Sequence, residues 1–329
     1  MQPSISRTRL TELLDAAHGM RIAVVGDAML DVYLRGDVDR ISPEAPVPVV
    51  RVRQRTQALG GAANVAQNVV ALGARCELVA VVGDDIAGGV VRDLLRQLPT
   101  DPRAICTVAR PTTTKTRVLA RSQQVVRFDE EEDEDISGGE IDGLLNVVTR
   151  AVSDADAIVL EDYNKGVLVP SVIRAAIEGA KQRKIPVVVD PKYRHFFHYN
   201  GATIFKPNRR ELESALGAAV DFDDPATLHG TLGRLGVDHL LLTLGERGMA
   251  LIEPDGSTHR VPTTARAVYD VVGAGDTVSA YLAAMLAAGA TALEAAIIAN
   301  YAAGVEVGKL GAATVTAAEV VAAFDDLAS

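Results

Sequence analysis

The sequence predicts an α/β protein whose doubly wound, largely parallel sheet carries helices on both faces. Short runs rich in Val, Ile and Leu alternate with segments of helical pattern, the order that covers a parallel sheet on both sides. Each of these runs ends at Gly, Asp, Pro or Asn. Because ligands of such sheets bind beyond the carboxyl ends of the strands, these polar ends mark a candidate functional edge.

The predicted strands share an apolar run and a polar end, and they cover 21–27, 77–84, 156–162, 185–191, 202–208 and 239–245. The predicted helices cover 61–73, 86–98, 138–153, 170–184, 209–217, 225–236 and about 276–288. We therefore expect the polar strand ends to meet at one edge of the sheet: Asp27, Asp84, Asp162, Asp190, Asn208 and Gly245.

Two segments, 31–55 and 105–128, break this alternation with short β-like runs, and the first is interrupted by prolines. We expect them to form a small β-sheet that projects as a lid or as a clasp between two subunits. The whole chain, 1–329, is predicted to be a single domain. The acidic run at 129–135 is expected to be a solvated loop ahead of a helix.

Composition excludes several classes of function. The net charge of −10 argues against a protein that grips a nucleic-acid backbone, which requires clustered positive charge. Apolar runs stay below the ~18 residues of a membrane span, and the N-terminus lacks a secretory apolar core. Two cysteines, Cys76 and Cys106, supply no disulfide framework and suit a reducing cytoplasm.

The stretch DVVGAGDT, 270–277, has the composition of an anion site. Gly273 and Gly275, on either side of Ala274, permit a tight turn, and the following helix adds unpaired N–H groups and a positive dipole end. Asp276 lies beside that site, where a carboxylate accepts a hydroxyl proton while the amides hold a phosphoryl group. A helix-terminal carboxylate after a simple turn is the alternative, and the motif alone does not choose between them.

Other phosphate motifs fit poorly. The segment 304–310, GVEVGKL, is too short between its glycines for a Walker-type loop and has no Ser or Thr after Lys309. Val278 stands where a dinucleotide fingerprint requires Gly or Ala, which argues against an oxidoreductase. The spacing of His195 and His198 is poor for a metal pair.

The segment 270–286 resembles the second signature of the ribokinase-like (PfkB) carbohydrate kinases, D-T-x-G-A-G-D, with Val271 in place of the usual Thr. LGGAANVAQNVVALG at 59–73 is similar to the family's first signature, and KPNRRE at 206–211 to its N-x-x-E motif. LTLGERG at 242–248 is similar to its nucleotide-side turn. The resemblance implies a ribokinase-like fold with a small β lid and a kinase that uses ATP and Mg²⁺.

The resemblance also implies roles for individual residues. The catalytic group is Asp276 as general base, with Gly273, Ala274 and Gly275 around the transferred phosphoryl group. The nucleotide side comprises Asn208, Glu211, Thr243, Gly245, Gly248, Asn300 and Ala303, and Glu211 would hold Mg²⁺ through water. The sugar side comprises Asp27, Asp31, Gly60, Gly61 and Asn64. Turn formation and helix capping remain alternative roles for the Asp, Asn and Gly residues.

A narrower resemblance links 26–50, 112–129, 161–168 and 299–311 to kinases that phosphorylate the anomeric hydroxyl of D-glycero-D-manno-heptose 7-phosphate. It implies a cytoplasmic homodimer, and because no stretch of the sequence reads H-x-G-H, the motif of an adenylyltransferase, we expect a stand-alone kinase. The candidate cations for the substrate's phosphate are Lys115, Arg117, Arg121, Arg127, Lys165 and Lys192, of which Arg127, Lys165 and Lys192 are preferred. Asp162 and Tyr163 are expected to approach the sugar.

Two alternatives stay open at this stage. Another ribokinase-like sugar kinase, acting on a ribose- or fructose-type substrate, would carry the same signatures. A sugar- or nucleotide-binding regulator without activity would share the fold, although it would have no need of a base at 276.

Overall fold

The computed structural model describes residues 4–99, 104–121, 123–221, 224–266 and 268–328. Its strands form one large and one small β-sheet. The strands are β1 (Arg21–Gly26), β2 (Ala28–Ile41), β3 (Pro48–Gly61), β4 (Arg75–Gly83), β5 (Ile105–Val108), β6 (Thr114–Ala120), β7 (Gln123–Glu130), β8 (Ala157–Glu161), β9 (Val187–Asp190), β10 (Ile204–Phe205), β11 (His239–Thr243), β12 (Met249–Ile252) and β13 (Thr258–Val261).

The α-helices of the same described residues are α1 (Arg7–Ala17), α2 (Ala62–Leu72), α3 (Ile86–Leu95), α4 (Gly139–Asp154), α5 (Pro170–Arg183), α6 (Arg209–Leu216), α7 (Pro225–Leu235), α8 (Ala274–Ala287), α9 (Ala292–Glu306) and α10 (Ala317–Ala328). Each helix expected from the sequence is present. The helix expected at about 276–288 begins two residues earlier, because Gly273 in the left-handed region already ends the preceding loop.

The nine-stranded sheet has the order β13-β12-β11-β10-β9-β8-β1-β4-β5. The seven strands from β11 to β5 in this order pair in parallel. The pairs β11–β12 and β12–β13, at the other end of the sheet, are antiparallel. Successive residues of β1 point to opposite faces of the sheet, so Val24 packs into one apolar core and Val25 into the other. This alternation confirms the predicted α/β class, with helices on both faces of a largely parallel sheet.

The four-stranded sheet, in the order β3-β2-β6-β7, contains most of the two segments that break the βα alternation. The run Ile105–Val108 instead extends the large sheet, where it pairs in parallel with β4. Ser122 of the second segment lies outside the described residues. Within the part of the chain that the structure describes, no helix has the length and apolarity to cross a membrane.

Candidate active site

Asp276 lies in the first turn of α8, where only 4% of its surface is exposed. Its two carboxylate oxygens accept hydrogen bonds from different elements. The Asn64 amide donates to Oδ2 over 2.7 Å, and the Tyr163 hydroxyl donates to Oδ1 over 2.7 Å. Burial raises the pKa of Asp276 to about 6, although both hydrogen bonds act in the opposite direction. A carboxylate with these properties is a suitable general base near neutral pH.

The bend before Asp276 requires glycine at 273. Gly273 has φ +97°, and a Cβ there would lie 2.9 Å from Asn64 Nδ2 and 3.1 Å from Glu306 Oε1. Among the described residues no side chain caps α8, and only a weak bond to Val271 O at 3.5 Å engages Ala274 N–H, so the N–H groups of Gly275 and Asp276 remain available to a ligand. The bend formed by Gly273, Ala274 and Gly275 is therefore suited to an anion.

A buried lysine lies under this bend. Lys206 is 2% exposed, and its Nζ is 2.8 Å from Asp190 Oδ2. The same Nζ lies 3.7 Å from the position that a Cβ on Gly275 would occupy. Against the effect of burial, the ammonium groups of Lys206 and Lys192 hold the pKa of Asp190 below its usual value. Lys206 was not identified as a site residue from the sequence, although its position directly before Pro207 and Asn208 at a strand end could have indicated one.

Two further buried glutamates adjoin the site, and neither was identified from the sequence. Among the described residues, neither Glu161 nor Glu306 has a hydrogen-bond partner of good geometry for its carboxyl oxygens. Burial and the nearby Asp190 raise the pKa of Glu161 well above its usual value, and burial raises that of Glu306 to about 8. Glu306 is therefore mostly uncharged at neutral pH, and the raised pKa of Glu161 acts in the same direction, which limits the repulsion of an anion at the bend.

The residues expected on the sugar side include the Gly-Gly turn that ends β3. Gly61 has φ +58°, and a Cβ on Gly60 would approach Asp31 Oδ2 to 2.7 Å. Asp31 forms a close ion pair with Arg117, whose guanidinium carbon lies 5.4 Å from the ring centre of Tyr33. The backbone at Gly60 thus approaches the Asp31 carboxylate closely, while the expected contact of this turn with a sugar stays a prediction.

Asp27 shapes the loop that follows β8. Its carboxylate accepts the backbone N–H groups of Tyr163 at 2.7 Å, Lys165 at 2.9 Å and Val167 at 3.1 Å. Burial, with the negative charge of Asp162 adding to it, raises the pKa of Asp27 to about 6. The structure thus engages this carboxylate with the protein's own backbone rather than leaving it free at the strand end.

Asp162 is bound in a similar way within the same loop. Its Oδ1 accepts the Asn164 N–H at 2.7 Å, and its Oδ2 accepts the Tyr199 hydroxyl at 2.8 Å. Only 3% of Asp162 is exposed. The geometry shows a turn-forming aspartate, while its expected approach to the sugar stays a prediction.

The N-x-x-E motif begins α6 with a reciprocal capping box. Asn208 Oδ1 accepts the Glu211 N–H at 3.0 Å, and Glu211 Oε2 accepts the Asn208 N–H at 2.8 Å. The other carboxylate oxygen of Glu211 forms a close ion pair with Lys192. Capping and ligand binding are compatible here, because the motif stands at the carboxyl edge of the sheet, beside Thr243.

The remaining residues expected on the nucleotide side lie on two elements. Gly245 and Gly248, with φ of +60° and +77°, flank a short 3₁₀ turn after β11, and a Cβ on Gly248 would clash with Val261 O at 2.1 Å. Asn300 on α9 is buried and donates to Pro262 O over 2.8 Å, and Ala303, one turn later, is half-buried. The two glycines thus follow β11, whereas Asn300 reaches the segment that follows β13.

A magnesium ion fits Glu211 only as a hydrated ion. In the described residues no group of three or more His, Cys, Asp or Glu side chains has the arrangement of a metal centre. Mg²⁺ keeps several waters and relies on phosphate oxygens with one or two carboxylates, which is compatible with a single glutamate at this edge.

The acidic run at 129–135 is, from residue 131 on, the exposed loop ahead of α4 that the sequence predicts, and several of its carboxylates are also ion-paired. Glu131 is ion-paired with Lys165 at 2.8 Å and with Lys115 at 3.1 Å. Asp129 pairs with Lys115 at 3.2 Å and with Arg127 at 3.1 Å. Sequence alone misses these pairs because they join β6, β7 and the loop after β8.

The three preferred cations for the substrate phosphate are therefore not brought together. Lys165 and Arg127 both lie along the acidic run, whereas Lys192 lies at Glu211. Lys192 thus lies at the N-x-x-E motif, and its Nζ is 5.2 Å from the centre of the Tyr163 ring.

Comparison with known proteins identifies the family. The profile described as "pfkB family carbohydrate kinase" matches residues 20–318. The chain belongs to this family of ATP-dependent phosphotransferases, as its four signatures predict.

Curated relatives and solved structures agree with this assignment. The chain is 45% identical over 317 residues to the bifunctional protein HldE of Rhodospirillum rubrum, and 46% identical over 320 residues to that of Caulobacter sp.. Each match covers 95% of this chain but 64% of the relative, so the chain spans about two thirds of their length.

The solved structures show the same fold at low identity. Phosphofructokinase-2 of Escherichia coli, in complex with substrates and products, has a TM-score of 0.78 at 18% identity and covers 94% of this chain and 100% of its own. Ribokinase of Arabidopsis thaliana, complexed with ribose and ATP, has a TM-score of 0.71 at 20% identity and covers 93% and 98%. The ribokinase-like fold expected from the signatures is confirmed.

Proposed function

We propose that this kinase phosphorylates the anomeric hydroxyl of D-glycero-β-D-manno-heptose 7-phosphate, giving the 1,7-bisphosphate in ADP-heptose supply for lipopolysaccharide core. The main observation in favour of kinase chemistry is the buried Asp276 beside the Gly273 bend, whose two carboxylate oxygens accept hydrogen bonds from Asn64 and Tyr163. The heptose assignment is supported by the four heptose-kinase-like segments and by the similarity to HldE.

The reaction is a direct in-line transfer. Asp276 takes the proton of the anomeric hydroxyl as its oxygen forms a bond to the γ-phosphorus of ATP, and the bond from that phosphorus to the ADP oxygen breaks. The amides of 273–276 stabilise charge on the transferred group. Lys206, 2% exposed and ion-paired with Asp190 at 2.8 Å, lies under the bend and offsets the negative charge of that carboxylate.

The nucleotide lies along the edge formed by the N-x-x-E motif and the turn after β11. Asn208 and Glu211 would hold Mg²⁺ through water, and Mg²⁺ supplies positive charge at the phosphates when it is bound. Lys192 is ion-paired with Glu211, so we assign it to this side of the cleft. Asn300 and Ala303 complete the nucleotide side on α9.

The phosphate already on the sugar binds at the opposite end, where Lys165 and Arg127 lie along the acidic run. There the substrate phosphate competes with Glu131 for the ammonium group of Lys165. Asp31, Gly60, Gly61 and Asn64 lie on the sugar side of the bend. Asp27 and Asp162 contribute indirectly, because their carboxylates fix the backbone of the loop after β8.

The four-stranded sheet acts as the lid within one kinase domain and excludes water that would otherwise hydrolyse ATP. Its outer strand β7 exposes Val126 and Phe128, at 49% and 47%, which suits the clasp of a homodimer. We place the enzyme in the cytoplasm, where ATP is supplied.

A substrate panel tests this function. ADP release is measured with heptose 7-phosphate, ribose and fructose 6-phosphate, and the phosphorylated position is read by ³¹P NMR. We expect kcat/KM for heptose 7-phosphate to exceed the others by about 10³-fold, because a site that pairs a substrate phosphate rejects analogues that lack it or misplace it. A higher kcat/KM for ribose or fructose 6-phosphate would assign another sugar, and no ADP release with any sugar would favour a binding protein.

A further inference from the structure

The loop after β8 carries one aromatic side chain across the cleft to α8. The backbone N–H of Tyr163 is fixed by Asp27 Oδ2 at 2.7 Å. Its ring lies between the Gly-Gly turn and a cation: ring carbon Cδ2 is 3.5 Å from the Cβ position of Gly61, and Lys192 Nζ is 5.2 Å from the ring centre. The residue is thus fixed at its backbone N–H, and its ring lies close to both the Gly-Gly turn and the Lys192 ammonium group.

The hydroxyl group of this side chain ends at the carboxylate of Asp276. It donates to Oδ1 over 2.7 Å, while Asn64 donates to Oδ2 over 2.7 Å from α2. Rotation of the carboxylate would break one of these two hydrogen bonds. Burial, together with the negative charge of Asp276, raises the pKa of Tyr163 well above its usual value, so the hydroxyl remains a donor.

We propose that Tyr163 is a positioning residue, whose hydroxyl fixes Oδ1 of Asp276 so that the free lone pairs of the carboxylate face the sugar hydroxyl. The inference rests on the proposed function, in which Asp276 is the general base. It explains why Asp27 is buried at a strand end with three backbone partners: it builds the loop that presents Tyr163.

Removal of the hydroxyl alone has two separable effects. The variant Tyr163→Phe keeps the ring but frees the carboxylate, so we expect kcat to fall about tenfold with little change in KM. The hydrogen bond also stabilises the charged form of Asp276, whose pKa is about 6. Its loss should move the acidic limb of the pH–rate profile upward by about one pH unit.

The control and the double variant separate positioning from other roles. Tyr281→Phe removes a buried hydroxyl from the same helix, one that donates to Val315 O over 3.0 Å, and should leave kcat and the acidic limb unchanged. In the double variant of Tyr163→Phe with Asp276→Asn, we expect no loss beyond that of Asp276→Asn alone, because both act through one carboxylate.

Three outcomes would overturn the proposal. An unmoved acidic limb in Tyr163→Phe, or a further tenfold loss in the double variant, would show that Tyr163 acts on the sugar or on the fold instead. Wild-type turnover in Asp276→Asn alone would overturn the base assignment and this inference together. The single variant Asp276→Asn therefore distinguishes failure of the proposed function from failure of the Tyr163 proposal.

Discussion

The two ends of the cleft are built differently. At the bend, Asp276 is 4% exposed and accepts hydrogen bonds from Asn64 and Tyr163, and Asn64 and Glu306 leave no room for a side chain at Gly273. At the far end the cations pair with the acidic run, and half of the Arg127 side chain is exposed. A rigid buried end suits a chemical step, which depends on position, whereas a charged and partly exposed end suits binding.

This difference predicts which kinetic parameter each end controls. Changes at the bend should lower kcat, because its contacts act on the transition state. Changes at the phosphate end should raise KM, because its charges act on the bound substrate throughout the reaction.

The largest effect is expected at the base. Asp276→Asn should lower kcat by about 10²–10⁴ and leave the thermal midpoint near that of the wild type, because a buried carboxylate is replaced by an uncharged amide of similar size. Asp85→Asn is the matched control, since Asp85 caps α3 through the Gly88 N–H at 2.6 Å. It should cost about 1 kcal/mol of stability and little turnover. Turnover of Asp276→Asn within a few-fold of wild type would contradict the assignment of Asp276 as the general base.

The next effect is expected at the bend itself. Gly273→Ala places a Cβ 2.9 Å from Asn64 Nδ2 and 3.2 Å from Ala312 Cα, which displaces the amides, so kcat should fall about 10²-fold. Gly289→Ala is the control, because its φ of +85° carries similar strain while nothing lies within 4 Å of its Cβ position. Equal losses of kcat in both variants would attribute the effect to backbone strain rather than to the bend.

A smaller effect, on a different parameter, is expected at the phosphate end. Lys165→Met should raise KM for heptose 7-phosphate about tenfold and change kcat little, because the charge acts away from the reacting oxygen. Lys181→Met, an exposed lysine on α5, should leave both parameters unchanged. Steady-state kinetics at low and high salt would check this, and a loss confined to kcat would contradict the assignment of Lys165.

The last effect is on stability rather than on turnover and concerns Glu306. Its pKa of about 8 lies above that of an unfolded glutamate, so its contribution to stability is complete below about pH 4.3 and is lost as pH rises through 8. Glu306→Gln cannot ionise. From pH 6 to pH 8 its free energy of unfolding should therefore rise relative to wild type by on the order of 2 kcal/mol. Urea denaturation at both pH values measures this, and a constant difference would mean that Glu306 is already ionised at pH 6.

The fold and the bend were predictable because local rules restrict the residues there. Alternating apolar strands and helices define the parallel sheet, and only glycine tolerates the φ of +97° at Gly273. The partner of β5 was not predictable, because a four-residue apolar run pairs equally well with either sheet. Its parallel pairing with β4 depends on a chain contact that periodicity does not encode.

The charges of the site were less predictable for the same reason. The pair of Asp31 and Arg117 joins β2 and β6, which are far apart in the chain. Glu306 stands in an apolar helical pattern with nothing local to mark it as buried beside Gly273. Site residues that depend on backbone geometry leave a sequence pattern, whereas those that depend on long-range ion pairs or burial leave none.

The most direct test of the account is a crystal structure with a non-hydrolysable ATP analogue and heptose 7-phosphate bound. We expect the terminal phosphoryl group within hydrogen-bond distance of the amides of 273–276, with the anomeric hydroxyl beside the Asp276 carboxylate. A terminal phosphorus bound away from the Gly273 bend, or an Asp276 side chain that does not reach the sugar, would contradict it.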